Sequence, residues 1–393
     1  MKIAMMSAWN TDSGVSIHAE LIGREWIKLG HSLQVFTFLP SDFHGTAIVG
    51  KDEPYVLRCF TTSHCSQPYL DPRPFLSEDF EVFVVQDLGM LPMDELAKIF
   101  FHIRRKAVTV NIIHDNRPSS NPSFYQFDWD RIVCFDHRYE AFLRKYHPPE
   151  KIQIIPFPCH PLKRGDQKEA RAKLGLPFEK KIVLIFGQRM KEYLPLWPLL
   201  RELASDHSFL LLIVSQKEIE GIEKLQGVEM EVRRESPSLE LLYEYLYASD
   251  ALILHRNPCD GVVVSSSAFQ CLGSGCPILA NDSSFFETLK EVLLIYSDLR
   301  EFKEKLLDLL NHGEGYQRIQ KGLERFIEKN SAEVIAREYL HLFQTLWEER
   351  RAIEFGPLSQ IFRTMESLPL HQQKEKTVFP LLQEPKEGRV QPH

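Results

Sequence analysis

Several apolar, strand-like runs in this chain end on polar or charged residues, the position from which a side chain or a backbone amide can meet a ligand. After Lys2–Ala8 comes Asn10-Thr11-Asp12-Ser13-Gly14-Val15, where Gly14 stands between a strand and a helix and lets backbone amides approach an anion. His18 lies at the start of that helix, where a lone histidine is ordinarily a surface residue. The run VTVNII ends in His114-Asp115, a polar pair at a strand's carboxyl end that points into a crevice; a histidine satisfied by loop backbone is the alternative. The run KKIVLIF ends in Gly187-Gln188-Arg189-Met190-Lys191, and its two cations can hold a diphosphate and stabilise charge on a leaving group. From Asp260 to Ala280 a loop feeds a helix start rich in small residues. There Ser265, Ser266 and Ser267 can cap a helix whose free amides would meet phosphate.

Two other patterns narrow the chemistry. The dinucleotide fingerprint GxGxxG is missing after the first strand, which disfavours bound NAD. Asp128-Trp129-Asp130 has the form of a metal-carrying DxD, but it runs directly into the strand RIVCF and reads as structural. No metal or other cofactor is expected.

The elements that must position these residues alternate between apolar runs and amphipathic helical stretches, the mark of parallel sheets covered by helices. Ile17–Leu29 reads as a helix with Ile17, Leu21, Ile22, Trp26 and Leu29 on one face, stopped by Gly30. LQVFTF, EVFVVQ, AVTVNIIHD, RIVCF and KIQIIPFP continue a first domain. Pro156, Pro158 and Pro161, with the charged stretch Lys163 to Lys173, mark a boundary, and KKIVLIFG, FLLLIVS, DALILH, CPILAN and LLIYS begin the pattern again. The expected class is α/β, with two Rossmann-like doubly wound domains facing a central cleft. Residues 1–162 form the first domain, 163–345 the second, 346–371 helices that cross back to the first, and 372–393 a disordered tail.

At 393 residues the chain has room for two domains, and 44% hydrophobic with 26% charged residues is a globular composition. A formal net charge of −7 argues against a nucleic-acid partner, whose phosphates call for a basic face. No apolar run reaches the roughly 18 residues of a membrane span, and the amino terminus has no signal-peptide pattern. Seven scattered cysteines without CxxC spacing read as reduced thiols, and the expected location is cytoplasmic.

In their order these features resemble the GT-B fold and, within it, the retaining glycosyltransferases of family 4, over nearly the whole chain to about residue 348. GVSIHAELIGREWIKLGHSLQVFT is similar to that family's opening, VTVNIIHD to its central histidine strand, and KIQIIPFPCHP to its interdomain element. YASDALILHRNPCDG through FQCLGSGCPILAN is similar to its donor-binding segment. The resemblance implies transfer of a hexose from a nucleotide-sugar donor, of the GDP-mannose or UDP-glucose type, with retention of configuration. The acceptor, whether sugar, lipid-linked or small molecule, is unspecified, and contact with a membrane surface is left open. His114 would touch the transferred sugar. Arg189 and Lys191 would grip phosphate, and Gly14, Gly187, Ser265 and Ser266 would line the donor site. His18 and Asp115 fall on the acceptor side. Of two family glutamates, the second position holds Gln270 and the first holds Val262, with Asp260 the nearest carboxylate. That departure keeps two alternatives in view: a catalytically silent nucleotide-sugar-binding scaffold and a GT-B-fold sugar-nucleotide epimerase.

Overall fold

The computed structural model describes residues 1–42 and 50–366, the last part, 354–366, by its backbone alone. Seven strands build a first sheet: β1 (Lys2–Met6), β2 (Ser32–Phe38), β3 (Val56–Phe60), β4 (Val82–Gln86), β5 (Val108–Ile112), β6 (Arg131–Cys134) and β7 (Ile152–Ile154). Six more build a second: β8 (Lys181–Phe186), β9 (Phe209–Val214), β10 (Met230–Arg233), β11 (Ala251–Leu254), β12 (Ile278–Asn281) and β13 (Leu294–Tyr296). Their orders are β3-β2-β1-β4-β5-β6-β7 and β10-β9-β8-β11-β12-β13, and every strand pair is parallel. Helices cover both faces of such sheets, so the central strands are apolar throughout; VFVVQ and FLLLIV are buried at every position.

The first helix, Gly14–Lys28, begins earlier than the apolar periodicity suggests because Ser13 caps it, its hydroxyl accepting from the Ser16 amide. Ala19, Ile22 and Trp26 on its inner face are fully buried; Ile22 alone contributes roughly 2 kcal/mol by leaving water. Among the elements absent from the sequence reading are β3 and β10. Both are edge strands, and their half-buried sequences VLRCF and MEVR show no clean periodicity.

The charged stretch read as a boundary contains a helix, Gln167–Leu174. Its Arg171 is buried and pairs with Asp250 at 2.8 Å, while the same carboxylate accepts from the Ile182 amide at 2.8 Å. That ion pair ties the helix to the second sheet. A buried pair so well hydrogen-bonded is costly to break from one side.

The chain passes between the sheets twice, after β7 and again near Asn330, and the passages are stitched together. The Cys159 amide donates to the Asn330 carbonyl and the Ala332 amide to the Cys159 carbonyl, both at 2.8 Å. Ala332 opens the last helix, Ala332–Glu366, whose first turns return to the first sheet's side. There the Trp26 indole donates to the Ala336 carbonyl at 3.2 Å, and the Tyr339 ring lies against His18 and Trp26. From Gln344 on, the described residues form a separate unit, and the tail expected at 372–393 lies outside the described residues. The seven cysteines are free thiols, and no described helix is long and apolar enough to cross a membrane.

Candidate active site

In each sheet the order reverses beside its first strand: chain leaves β1 and β4 in opposite lateral directions, and likewise β8 and β11. A crevice opens at the carboxyl ends of such strand pairs. The loops found there are Asn10–Gly14 after β1, Asp87 after β4, Gly187–Arg189 after β8 and His255-Arg256 after β11. They border two adjoining cavities. The larger, about 470 Å³, has Asn10, Asp12, Gly14, Glu20 and Arg24 on one wall and Gly187, Arg189, Ser215, Glu235, Arg256 and Gln270 on the other. The smaller, about 240 Å³, is bordered by Asp87, His114, Tyr139, Phe157, Val263, Ser265 and Phe285. Gly14, Arg189, Arg256, Ser266 and Ser267 border both.

Cross-cleft contacts hold these walls close. A Cβ on Gly14 would stand 2.8 Å from the Ser266 hydroxyl, so a glycine is what lets the loop meet the opposite helix. Gln188 donates to Asp12. The Val262 amide donates to the Asn116 carbonyl at 2.8 Å. Arg138, gripped by Asp136, donates across to the carbonyls of Ser284 (2.7 Å) and Val263 (3.3 Å).

No protein-family model matches the chain. Solved structures similar to it include sucrose-phosphate synthase from Thermosynechococcus elongatus, 16% identical over 89% of this chain and 100% of that one, with a TM-score of 0.60. Anabaena Alr3699/HepE in complex with UDP-glucose is 13% identical over 88% and 100% of the two chains, with a TM-score of 0.62. A glycosyltransferase from Rickettsia africae is 13% identical over 88% and 98%, with a TM-score of 0.59. The fold is GT-B.

Within this GT-B cleft the anticipated residues are not all together. Gly14, Gly187, Arg189, Ser266 and Gln270 border the larger cavity, and His114 and Ser265 the smaller. Gly187 has φ +118°, a backbone region that favours glycine. Ser265 caps its helix through the Ala268 amide. That helix, Ser266–Leu272, has only seven residues, so its dipole is short and the hydroxyls and guanidiniums supply most of the polarity. The Arg189 guanidinium lies 5.4 Å from the Phe285 ring centre and 3.1 Å from Glu192.

Four assignments differ: Lys191, Asp260, His18 and Asp115 border neither cavity. Lys191 pairs with Glu220 at 2.6 Å, with its side chain 76% exposed, and borders neither cavity. Two residues past Arg189, it is carried to the outer side of the turn. Asp260 is exposed and outside both cavities, because its loop is fixed by the backbone bond between Val262 and Asn116. His18, expected on the acceptor side, borders neither cavity and is wholly buried on the sheet-facing side of its helix among Phe135, Phe157 and Tyr339.

His18 reaches the site through Gln86. The Gln86 carbonyl oxygen accepts from His18 Nδ1 at 2.7 Å and from His114 Nε2 at 3.1 Å. Burial holds both rings neutral, His18 down to about 3 and His114 well below the ordinary histidine value. His114 therefore presents a neutral imidazole with Nδ1 left as an acceptor.

Asp115 stands behind Asp87, the cavity-lining carboxylate. Burial raises both, Asp115 to about 6, and the hydrogen bond between them lets the pair keep a proton. Asp128 is taken up by Arg104 and Lys151, and Asp130 by the amide and hydroxyl of Thr109, at the sheet edge opposite the cleft. Among the described residues no three His, Cys, Asp or Glu side chains gather closely enough to hold a metal ion.

Sequence reasoning missed Gln86, Asp87, Arg138 and Arg256. Gln86-Asp87 and Arg256 each follow an apolar strand run, the same signal that picked out His114. Arg138 carries no such signal.

Proposed function

We propose that this chain is a retaining glycosyltransferase that moves a hexose from a nucleotide-sugar donor to an acceptor. The observation that carries the reading is the pair of joined cavities at the facing carboxyl edges of the two sheets. The larger is polar, walled by Gly187, Arg189, Ser266, Ser267 and Gln270, and suits a nucleoside diphosphate. The smaller, with His114 and Asp87, suits the sugar and the incoming hydroxyl. In this reading the second domain, 163–345, holds the nucleotide and the first, 1–162, the acceptor. Gly14 lies against the phosphates, and neutral His114 accepts a hydrogen bond from a sugar hydroxyl.

The acceptor attacks the face from which the diphosphate departs, and the leaving phosphate takes the acceptor's proton. Guanidinium charge stabilises the developing diphosphate without a metal. The solved complex of HepE with UDP-glucose makes UDP-glucose the first donor to try, with GDP-mannose beside it.

The test is nucleoside diphosphate release from a donor panel, with and without acceptors, in chelator. Acceptor-dependent release that survives chelation is expected. Arg189→Ala, properly folded, should lose about a hundredfold in rate, corresponding to about 3 kcal/mol. Interconversion of the donor sugar without release would make the protein an epimerase instead. A second reading, a silent nucleotide-sugar-binding scaffold, draws support from Asp260 standing outside the cavities and from the amide at Gln270. Saturable donor binding without turnover would select it.

A further inference from the structure

Arg256 is the deeper of the two arginines that border both cavities, its side chain 6% exposed against 57% for Arg189. It is held in place at several points. Its amide donates to Asn281 Oδ1 and its carbonyl accepts from Asn281 Nδ2, both at 2.8 Å, while its Nη1 donates to the His255 carbonyl at 2.9 Å. Between the two arginines stands Glu192. One carboxylate oxygen accepts from Arg189 at 3.1 Å; the other lies 3.7 Å from Arg256 Nη1, beyond hydrogen-bond distance, and is buried with no hydrogen-bond partner. Two guanidiniums thus share one carboxylate that does not fully satisfy either, an excess of one positive charge among the three groups.

We infer that Arg256 and Arg189 together grip the diphosphate of a nucleoside diphosphate, with Glu192 between them as a countercharge that the diphosphate displaces. This rests on the donor reading above. The second cation of the site comes from the loop after β11, across the switch point from Arg189, and Lys191 takes no part. Arginine suits a place this buried, because it keeps its charge where a lysine would tend to lose it. Its planar fork can also address two phosphate oxygens at once.

The test is calorimetry with UDP and GDP, and with uridine and guanosine as phosphate-free probes, on the full chain. Arg256→Ala should weaken diphosphate binding at least tenfold and leave nucleoside binding unchanged, Arg256→Lys should recover part of the loss, and Lys191→Ala should bind as wild type. Glu192→Gln, which removes the competing charge, should bind diphosphate at least as tightly as wild type. Undiminished diphosphate binding by Arg256→Ala, or equal loss of nucleoside and diphosphate, overturns the assignment while wild-type binding keeps the donor reading standing. If Arg256→Ala does not fold, the Lys and Glu192→Gln variants decide, and a diphosphate loss in Glu192→Gln counts against the inference. Wild type that binds neither UDP nor GDP removes the donor reading, and this assignment with it.

Discussion

Gln86 offers one carbonyl oxygen to two histidines, and its consequence is readable in acid. His18 and His114 stay neutral when folded, whereas the unfolded chain takes up protons below about pH 6.5. The folded state then binds fewer protons, so stability falls as pH drops through 6.5, by up to about 1.4 kcal/mol per pH unit for each histidine. The Asp87–Asp115 pair works in the opposite sense. Folded, Asp115 keeps to about pH 6 a proton that the unfolded chain releases above about pH 4, and Asp87 is raised in the same direction, so the cost of burying the pair grows as pH rises through 6 and eases below. Asp115→Asn removes that easing, and its loss of stability from pH 7.5 to 5.5 should exceed that of wild type by on the order of 1 kcal/mol. Denaturant titration at the two pH values checks this, and equal losses would show that Asp115 takes up no proton over that range. Gln270 borders the nucleotide-sized cavity with a neutral amide. Gln270→Ala should weaken donor binding by about 1 kcal/mol, and Gln270→Glu, with its stronger acceptor, should bind at least as well. Unchanged affinity in both variants by calorimetry would take Gln270 out of the site. At this scale the sequence put His114 and Arg189 just past strands, but it could not say which way a side chain turns. Lys191 and Arg256 are both cations just past strands; only the packed loop shows that one faces Glu220 and the other the cleft.

Among the elements, the loop from Asn257 to Val264 depends most on a single backbone approach. A Cβ on Gly261 would run into the Asn116 carbonyl, the same oxygen that accepts from Val262. Gly261→Ala must therefore push the loop away from the first sheet, at a cost of about 1–3 kcal/mol. It should also loosen the Arg138 contacts to Val263 and Ser284. A wild-type denaturation midpoint in that variant would mean that the loop gives way freely. Central strands were legible because burial on both faces writes them as unbroken apolar runs, as in β4 and β9. The edge strands β3 and β10 were not, since one exposed side breaks the run. Nor was the helix Gln167–Leu174, where a buried arginine looks like any other charge until Asp250 is seen beside it.

For the molecule as a whole, two sheets in tandem followed from the restart of the apolar pattern after the prolines. The cross-cleft bonds did not, because they join residues more than a hundred positions apart. The stitched double passage at Cys159 and Asn330 has a consequence for cutting the chain. The segment 163–166 is exposed irregular backbone, the kind of place a protease enters. Cleavage there divides the polypeptide between the two sheets, yet the later fragment carries Ala336, Tyr339 and Phe343, which are core residues of the earlier one against Trp26 and His18. The nicked protein should therefore run as one particle on native gel filtration and come apart only in denaturant. Fragments that separate without denaturant would show that the last helix is not an integral part of the first half. The two pieces, made separately, should also find each other on mixing, which makes this a chain whose halves in space are not its halves in sequence.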